Sequence, residues 1–333
     1  MSKKTLNAAV VGMGKMGLLH ASLLSVLPNV KLKAVCEKSA VTRKFVKKAF
    51  RRLNVVEDVA EFSGLDLDAV FITTSTPSHY NVAKDVYQQG LARHLFIEKP
   101  LAASYAESKE LCELASKFGG VNMVGYLRRF MVTFMKAKDL LDQGAIGEPV
   151  SFRMSGFSSD FCGINGSKIS GARGGVLRDL GSYAIDMALW FFGELEAKSA
   201  RIEALTGLNA EDAAHFILQR KDGSLKGEFS VSWCAEGYRL PEVILTIEGS
   251  KGNIEANDDK VSVKLENGTN STLYRLNLDD TAQFWLGGPE YYREDAYFID
   301  CIQNNSAAEP SFDAASKVDF LIDAIQRNAE KHE

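Results

Sequence analysis

The chain is poor in the features that mark secreted, metal-built or membrane-spanning proteins. Its five cysteines, Cys36, Cys112, Cys162, Cys234 and Cys301, are scattered, odd in number and free of metal-ligand spacing. They read as mostly buried thiols in a reducing compartment, with the cytoplasm as default and no metal expected. No apolar run approaches the length of a membrane span, and Met1-Ser2-Lys3-Lys4 leads directly into a strand pattern, which argues against a signal peptide. An excess of positive charge is also missing. With 39 Lys and Arg against 43 Asp and Glu, the net charge of −4 gives no electrostatic reason to expect nucleic acid or an anionic membrane as partner. What remains is ordinary for a globular protein, 46% hydrophobic and 25% charged, and 333 residues suffice for two domains with separate cores.

The most informative stretch lies near the start. Ala8-Ala9-Val10-Val11 reads as a buried strand that runs into Gly12-Met13-Gly14-Lys15-Met16-Gly17, after which a helical pattern begins. In such a strand–turn–helix unit the first glycine permits the turn and the second lets backbone approach a pyrophosphate. The third lets the helix pack closely on the strand. Free N–H groups and the positive end of the helix dipole then face the phosphates. The plain alternative is a glycine-rich turn that binds nothing.

A second strand, 31–36, ends at Glu37, about twenty residues past the glycines, where dinucleotide folds place an acid against the adenosine ribose. Its charge favours NAD over NADP, while the adjacent Lys38 leaves a phosphate-holding alternative open. Glu37 as a merely solvated loop acid is the bland reading. The basic stretch 42–52 reads as a solvated helix face. A third apolar strand over 68–74 leads to Thr74-Ser75-Thr76-Pro77-Ser78-His79, a turn at the carboxyl edge where such folds bind ligands, with a helix from Asn81 to Gln89. His79 is at most a lining residue. The strand Leu95-Phe96-Ile97 ends in Glu98-Lys99-Pro100 at the same edge, and Lys99 can point at a substrate oxygen beside the nicotinamide. An exposed strand-end lysine is the alternative. Ser104-x-x-Glu107 is a capping box, and 121–125 completes a parallel, doubly wound pattern.

Taken in order, the Gly12/Gly14/Gly17 turn, Glu98-Lys99-Pro100, Gly125-Tyr126-Leu127-Arg128-Arg129-Phe130 with Gly144-Ala145-Ile146-Gly147-Glu148-Pro149, and the stretch Gly174 to Asp186 resemble the Gfo/Idh/MocA oxidoreductases. The resemblance runs through almost the whole chain, its last third being generic. It implies that Lys99 is catalytic and that Arg128 helps to bind substrate. The family's Asp-x-x-x-His pair maps onto Asp179 and Tyr183, so tyrosine stands where many members use histidine to transfer a proton. Glucose–fructose oxidoreductase and certain sugar ketoreductases resemble this chain in that substitution, so the departure bears on substrate more than on reaction type.

After Pro149 the pattern turns to alternation. Strands are expected at 150–154, 225–233, 243–247, 261–265 and 273–276, with turns at 249–252 and 267–268, which together mean an antiparallel sheet. The expected architecture is an α/β Rossmann dinucleotide-binding domain over 1–124. An α+β substrate and oligomerisation domain with a mainly antiparallel, open-faced sheet follows over 125–333. The resemblance implies assembly through that open face into a homodimer or homotetramer; a solvated face is the bland reading. The glycine- and serine-rich loop 156–175, with Asp160, Asn165, Lys168 and Arg173, reads as a substrate lid, with Asp160 as a candidate contact. Helical spacing places Asp179, Tyr183 and Asp186 on one side, Asp186 being equally readable as structural. The last helix, from Asp313, shows core spacing.

These readings converge on an NAD-dependent enzyme, with NADP possible, that moves a hydride to or from a sugar, sugar nucleotide or cyclic polyol. Two alternatives stand beside it: an NAD-dependent glycosidase of the same family, and a sugar-sensing regulator without catalysis.

Overall fold

The computed structural model describes residues 4–159, 174–205, 210–238, 240–278 and 282–330. The chain divides into two compact units, Met1–Leu127 with Ala282–Asp319, and Arg128–Thr281 with Phe320–Glu333.

The first unit is built on β1 (Leu6–Val11), α1 (Lys15–Val26), β2 (Val30–Cys36), α2 (Ala40–Ala49), β3 (Asn54–Val56), β4 (Ala69–Ile72), α3 (Thr76–Gln88), β5 (His94–Glu98), α4 (Tyr105–Phe118) and β6 (Asn122–Gly125). The strands form one parallel sheet in the order β3-β2-β1-β4-β5-β6. Strand order reverses direction at β1, the position where doubly wound sheets open a crevice for ligands. Apolar composition explains the depth of the central strands: Ala8 to Val10 and Ala69 to Ile72 are fully buried. Phe71 of β4 stacks on Phe96 of β5 with ring centroids 4.8 Å apart.

Local signals set the helix starts. The Ser104 hydroxyl accepts the Glu107 N–H at 3.3 Å, while the Glu107 carboxylate takes the N–H of Ala103 at 3.1 Å, one residue earlier than an ideal capping box. The turn expected at 75–79 is shorter. Helix α3 already begins at Thr76 with Pro77 in its first turn, where a missing N–H costs nothing.

The second unit contains α5 (Val132–Asp142), β7 (Pro149–Phe157), a π-helical turn (Leu177–Gly181), α6 (Ser182–Phe192), β8 (Glu196–Glu203), β9 (Ala213–Gln219), β10 (Lys226–Ser232), β11 (Glu242–Gly249), β12 (Gly252–Ala256), β13 (Lys260–Leu265) and β14 (Asn270–Tyr274). Its sheet runs β14-β13-β12-β11-β7-β10-β9-β8. The sheet is mainly antiparallel, as the alternation implies, but β7 and β10 pair in parallel because β7 is flanked by strands far from it in sequence. Phe152, Met154, Phe229, Val231, Val243, Leu245 and Ile247 point to the buried side. Arg153, Ser155, Ile217, Glu228, Ser230, Ile244 and Thr246 alternate with them on the other face.

After β14 the chain returns to the first unit with α7 (Pro289–Asn304), and α8 (Phe312–Glu330) passes from one unit's residues to the other's after Asp319. Residues 282–319 thus belong with the first unit, although they follow the second unit's strands in the chain. Apolar residues of α7 explain the return: Phe298 is fully buried, edge-on to Phe71 at 5.4 Å and to Phe96 at 5.8 Å.

Candidate functional site

In the first unit the glycine turn, the end of β2 and the loop after β4 line a cleft of ≈ 330 Å³ that includes Gly12, Gly14, Glu37, Lys38, Asp58, Thr74, Ser75 and Ser78. Gly12 has φ 90°, a conformation that side-chain-bearing residues rarely adopt. A Cβ on Gly17 would stand 1.8 Å from the Gly12 carbonyl oxygen, so the close helix–strand approach requires glycine there. A Cβ on Gly14 would meet nothing within 4 Å; the space beside it is open. Helix α1 has no side-chain cap at Gly14 and no acid in its first turn, which leaves its positive end for an external anion. Lys15 is exposed, Met16 half-buried and Met13 buried.

The Glu37 carboxylate is oriented by two backbone donors, Met13 N–H at 2.8 Å and Ser39 N–H at 2.7 Å. Lys38 beside it is exposed. Across the cleft Thr74 Oγ1 is buried with no hydrogen-bond partner, a donor and acceptor aimed at nothing in the chain. An uncapped helix end, an open glycine, an oriented carboxylate and an orphaned hydroxyl fit a dinucleotide's phosphates and ribose.

Further along the same edge, every residue from Leu95 to Ala102 is buried except Lys99, which keeps part of its surface. His79 lies fully inside, its Nδ1 2.9 Å from the Pro100 carbonyl oxygen and its Nε2 3.0 Å from that of Thr74. Burial holds its imidazole below the ordinary histidine value, and each ring nitrogen faces a carbonyl oxygen of a different loop, so the neutral ring donates its one N–H to one of them. His79 therefore ties the Thr74 loop to the Lys99-Pro100 turn. Thr76 is half-buried and Ser75 and Pro77 exposed at the start of α3.

In the second unit the stretch from Gly175 to Ala188 is buried except for Asp179 and Tyr183. One lies in the π-helical turn and the other in the first turn of α6; such turns recur at functional sites. Asp179 Oδ2 accepts the indole N–H of the fully buried Trp233 at 3.0 Å. The Arg128 guanidinium lies over the Tyr183 ring, 5.2 Å from its centroid, while also bonding Asp258 and the Pro241 carbonyl at 3.0 Å. Asp186 is buried and takes a two-pronged bond from Arg129 at 2.7 and 2.9 Å. Both carboxylate oxygens of Asp186 are thus engaged by one guanidinium.

Two family models cover most of the chain. The oxidoreductase family with an NAD-binding Rossmann fold, Gfo/Idh/MocA, matches residues 6–126, and the Gfo/Idh/MocA C-terminal domain matches residues 134–255. The chain belongs to the Gfo/Idh/MocA oxidoreductases. Among curated relatives, inositol 2-dehydrogenase of Rhizobium meliloti is 26% identical over 341 residues, covering 99% of this chain and 98% of that protein. The scyllo-inositol 2-dehydrogenase (NAD+) of Bacillus subtilis is 31% identical over 192 residues, 56% of this chain and 53% of the other. Levoglucosan dehydrogenase in complex with NADH shares the fold at a TM-score of 0.87 and 22% identity over 98% of both chains. As a member of this family the protein is a pyridine-nucleotide-dependent oxidoreductase, and the Rossmann half is its NAD-binding domain.

Within this Gfo/Idh/MocA chain several participating residues escape sequence reasoning. Trp233 closes an alternating strand and gives no functional sign, although a buried indole always raises the question of where its N–H goes. Arg129 as the partner of Asp186, and His20 on α1, are equally silent. Asp160 and most of the loop 156–175 lie outside the described residues. Cys36, Cys112 and Cys301 are free thiols, and burial pushes the Cys36 and Cys112 thiols up to about 12. Among the described residues no helix is long and apolar enough to cross a membrane, and no cluster of metal ligands occurs.

Proposed function

We propose that the protein transfers a hydride between NAD(H) and a hydroxyl-bearing carbon of a sugar, sugar nucleotide or cyclic polyol. The observation that carries this reading is the selective exposure of Lys99, Asp179 and Tyr183 within otherwise buried segments, together with relatives that are named inositol and sugar dehydrogenases. When bound, the nicotinamide supplies the hydride acceptor or donor. The chain's residues divide the remaining work. The Lys99 ammonium stabilises negative charge developing on the reacting oxygen, and Tyr183 Oη exchanges the proton with it. Asp179, oriented by Trp233, accepts a neighbouring substrate hydroxyl. Arg128, named above as a substrate contact, serves in this reading through its cation–π contact, which holds the Tyr183 ring.

Glu37 favours NAD, since its carboxylate accepts ribose hydroxyls and repels a 2′-phosphate. The open face of the eight-stranded sheet, where Ile217 and Ile244 stand among polar residues, supports a homodimer or homotetramer, and the free thiols of Cys36, Cys112 and Cys301 support a cytoplasmic setting. A panel of sugars, nucleotide sugars and inositols with NAD and NADP, followed at the nicotinamide absorbance, tests the activity. Net reduction of NAD by at least one polyol is expected. Glycoside hydrolysis without accumulation of NADH would instead make the enzyme a glycosidase, and ligand binding with no turnover would make it a sensor. Light scattering at micromolar concentration tests assembly, a monomer mass removing that part.

A further inference from the structure

A cluster of buried ionisable groups that the proposed chemistry does not use lies behind the Glu98-Lys99-Pro100 turn. His20 on α1 is fully buried, with Nδ1 2.8 and 3.0 Å from the two Asp295 oxygens on α7. Its Nε2 lies 2.9 Å from Glu98 Oε1 at the end of β5. The second Glu98 oxygen accepts the backbone N–H of Lys99 at 3.1 Å. Phe71, Phe96 and Tyr291 surround the ring and exclude water. A neutral imidazole has one N–H and one lone pair, so one nitrogen would face a carboxylate lone pair to lone pair. With both carboxylates ionised, only the doubly protonated ring satisfies both acceptors, although burial raises the Asp295 carboxyl as well.

We propose that His20 is a positioning residue for hydride transfer: as an imidazolium it donates one N–H to Asp295 and one to Glu98, and the immobilised Glu98 carboxylate fixes the backbone from which Lys99 reaches the substrate. The inference rests on the reading of Lys99 as the cation at the reacting oxygen. The charges acting on the ring are the carboxylates of Glu98 from β5 and Asp295 from α7, with the Glu294 carboxyl of α7 also within electrostatic reach. Burial by itself drives His20 toward neutrality, but the Asp295 and Glu98 carboxylates outweigh it and hold the ring well above the ordinary histidine value. Burial and the neighbouring Glu98 raise the Glu294 carboxyl well above its ordinary value. Placement of a catalytic group matters at this scale, since an error of about 1 Å costs on the order of a hundredfold in rate.

Nitrogen-15 histidine spectra of the full chain with NAD bound, with His20 assigned by comparison with His20→Asn, read the ring directly. Both nitrogens are expected to stay protonated well past the ordinary histidine value; a neutral tautomer at pH 7 overturns the proposal. Asp295→Asn keeps an acceptor and removes the charge. It is expected to bring a new ionisation into the pH profile of kcat, between about pH 6 and 8, and a loss of about tenfold on its alkaline side. NADH affinity should stay within about twofold, a shift too small to signal lost contacts. A profile that superimposes on the wild type, with only a lower melting temperature, would mean that the cluster is purely structural and overturns the proposal. Lys99→Ala is measured alongside. If it keeps wild-type turnover, the reading of Lys99 fails; if it is inactive while Asp295→Asn behaves as wild type, the His20 inference alone fails.

Discussion

Two glycines five and two residues after Gly12 make opposite predictions under the same substitution. In Gly17→Ala the new methyl would stand 1.8 Å from the Gly12 oxygen and 2.9 Å from Thr73 Oγ1. Ordinary contact begins near 3.4 Å, and the obstructing atom is backbone, held by Thr73 Oγ1 at 2.7 Å. Helix α1 must therefore withdraw from β1 by more than 1 Å. Overpacking of this kind costs about 1–3 kcal/mol or more, which corresponds to a fall of roughly 2–12 °C in the melting temperature of a unit this size. In Gly14→Ala the methyl meets nothing within 4 Å, and the backbone at φ −70°, ψ −164° suits alanine. Stability should hold or rise by about 0.4–1 kcal/mol. The same methyl occupies the space in which a pyrophosphate approaches the chain. Losing one charge-assisted hydrogen bond there costs about 1.5–3 kcal/mol, about ten- to a hundredfold in NADH affinity. Thermal melts of the apo protein and fluorescence titration with NADH separate the two outcomes. If Gly14→Ala binds NADH like the wild type, or destabilises as much as Gly17→Ala, the assignment of the cleft to the dinucleotide phosphates is refuted.

Glu37→Ser removes the charge that excludes a 2′-phosphate, and should shift calorimetric affinity toward NADP(H) by about tenfold or more; an unchanged NAD/NADP ratio would leave selection to Lys38 or another group. Lys99→Ala should lower turnover by roughly two to four powers of ten, and Tyr183→Phe should lower it with NADH affinity almost unchanged. Wild-type turnover of Tyr183→Phe across the pH range would show that tyrosine does not carry the proton. Trp233→Phe leaves Asp179 without its indole donor and opens a cavity that lowers stability as well; KM for substrate should rise several-fold, consistent with one lost hydrogen bond to a charged group at about 1.5–3 kcal/mol at most. Burial raises the Glu294 carboxyl well above its ordinary value of 4.5, and neither of its oxygens has a partner. The folded chain therefore retains a proton that the unfolded chain releases above that pH, so this residue's contribution to stability declines as pH rises. Glu294→Gln removes the linkage: melting curves should coincide near pH 4.5 and separate in favour of the variant toward pH 8, by up to about 1.4 kcal/mol per pH unit.

The parts of this molecule legible in its sequence are those whose physics is local. Glycine spacing, the acid after β2 and the strand-end lysine each depend on neighbours a few residues away, and the structure places Gly12, Glu37 and Thr74 around one cleft. Alternation revealed β7, β10 and β11 because one face of each is buried. Strand β8, Glu-Ala-Lys-Ser-Ala-Arg-Ile-Glu, has no such contrast, and β12 starts within a stretch whose glycines read as a turn. Partnership across the chain leaves no local trace. Spacing allowed Asp186 to face a ligand as readily as Asp179, and gave no sign of the Arg129 fork that engages both of its oxygens. His20 and Asp295 are 275 positions apart, and each alone looks like a polar interruption of an apolar helix face. A buried ion pair gains little net energy over apolar packing, yet losing one partner is expensive. Such a pair is thus poorly explained as a device for stability. Its position, one residue from Lys99 and linked to that residue's own N–H, is where a fixed charge adds orientation that apolar packing could not supply.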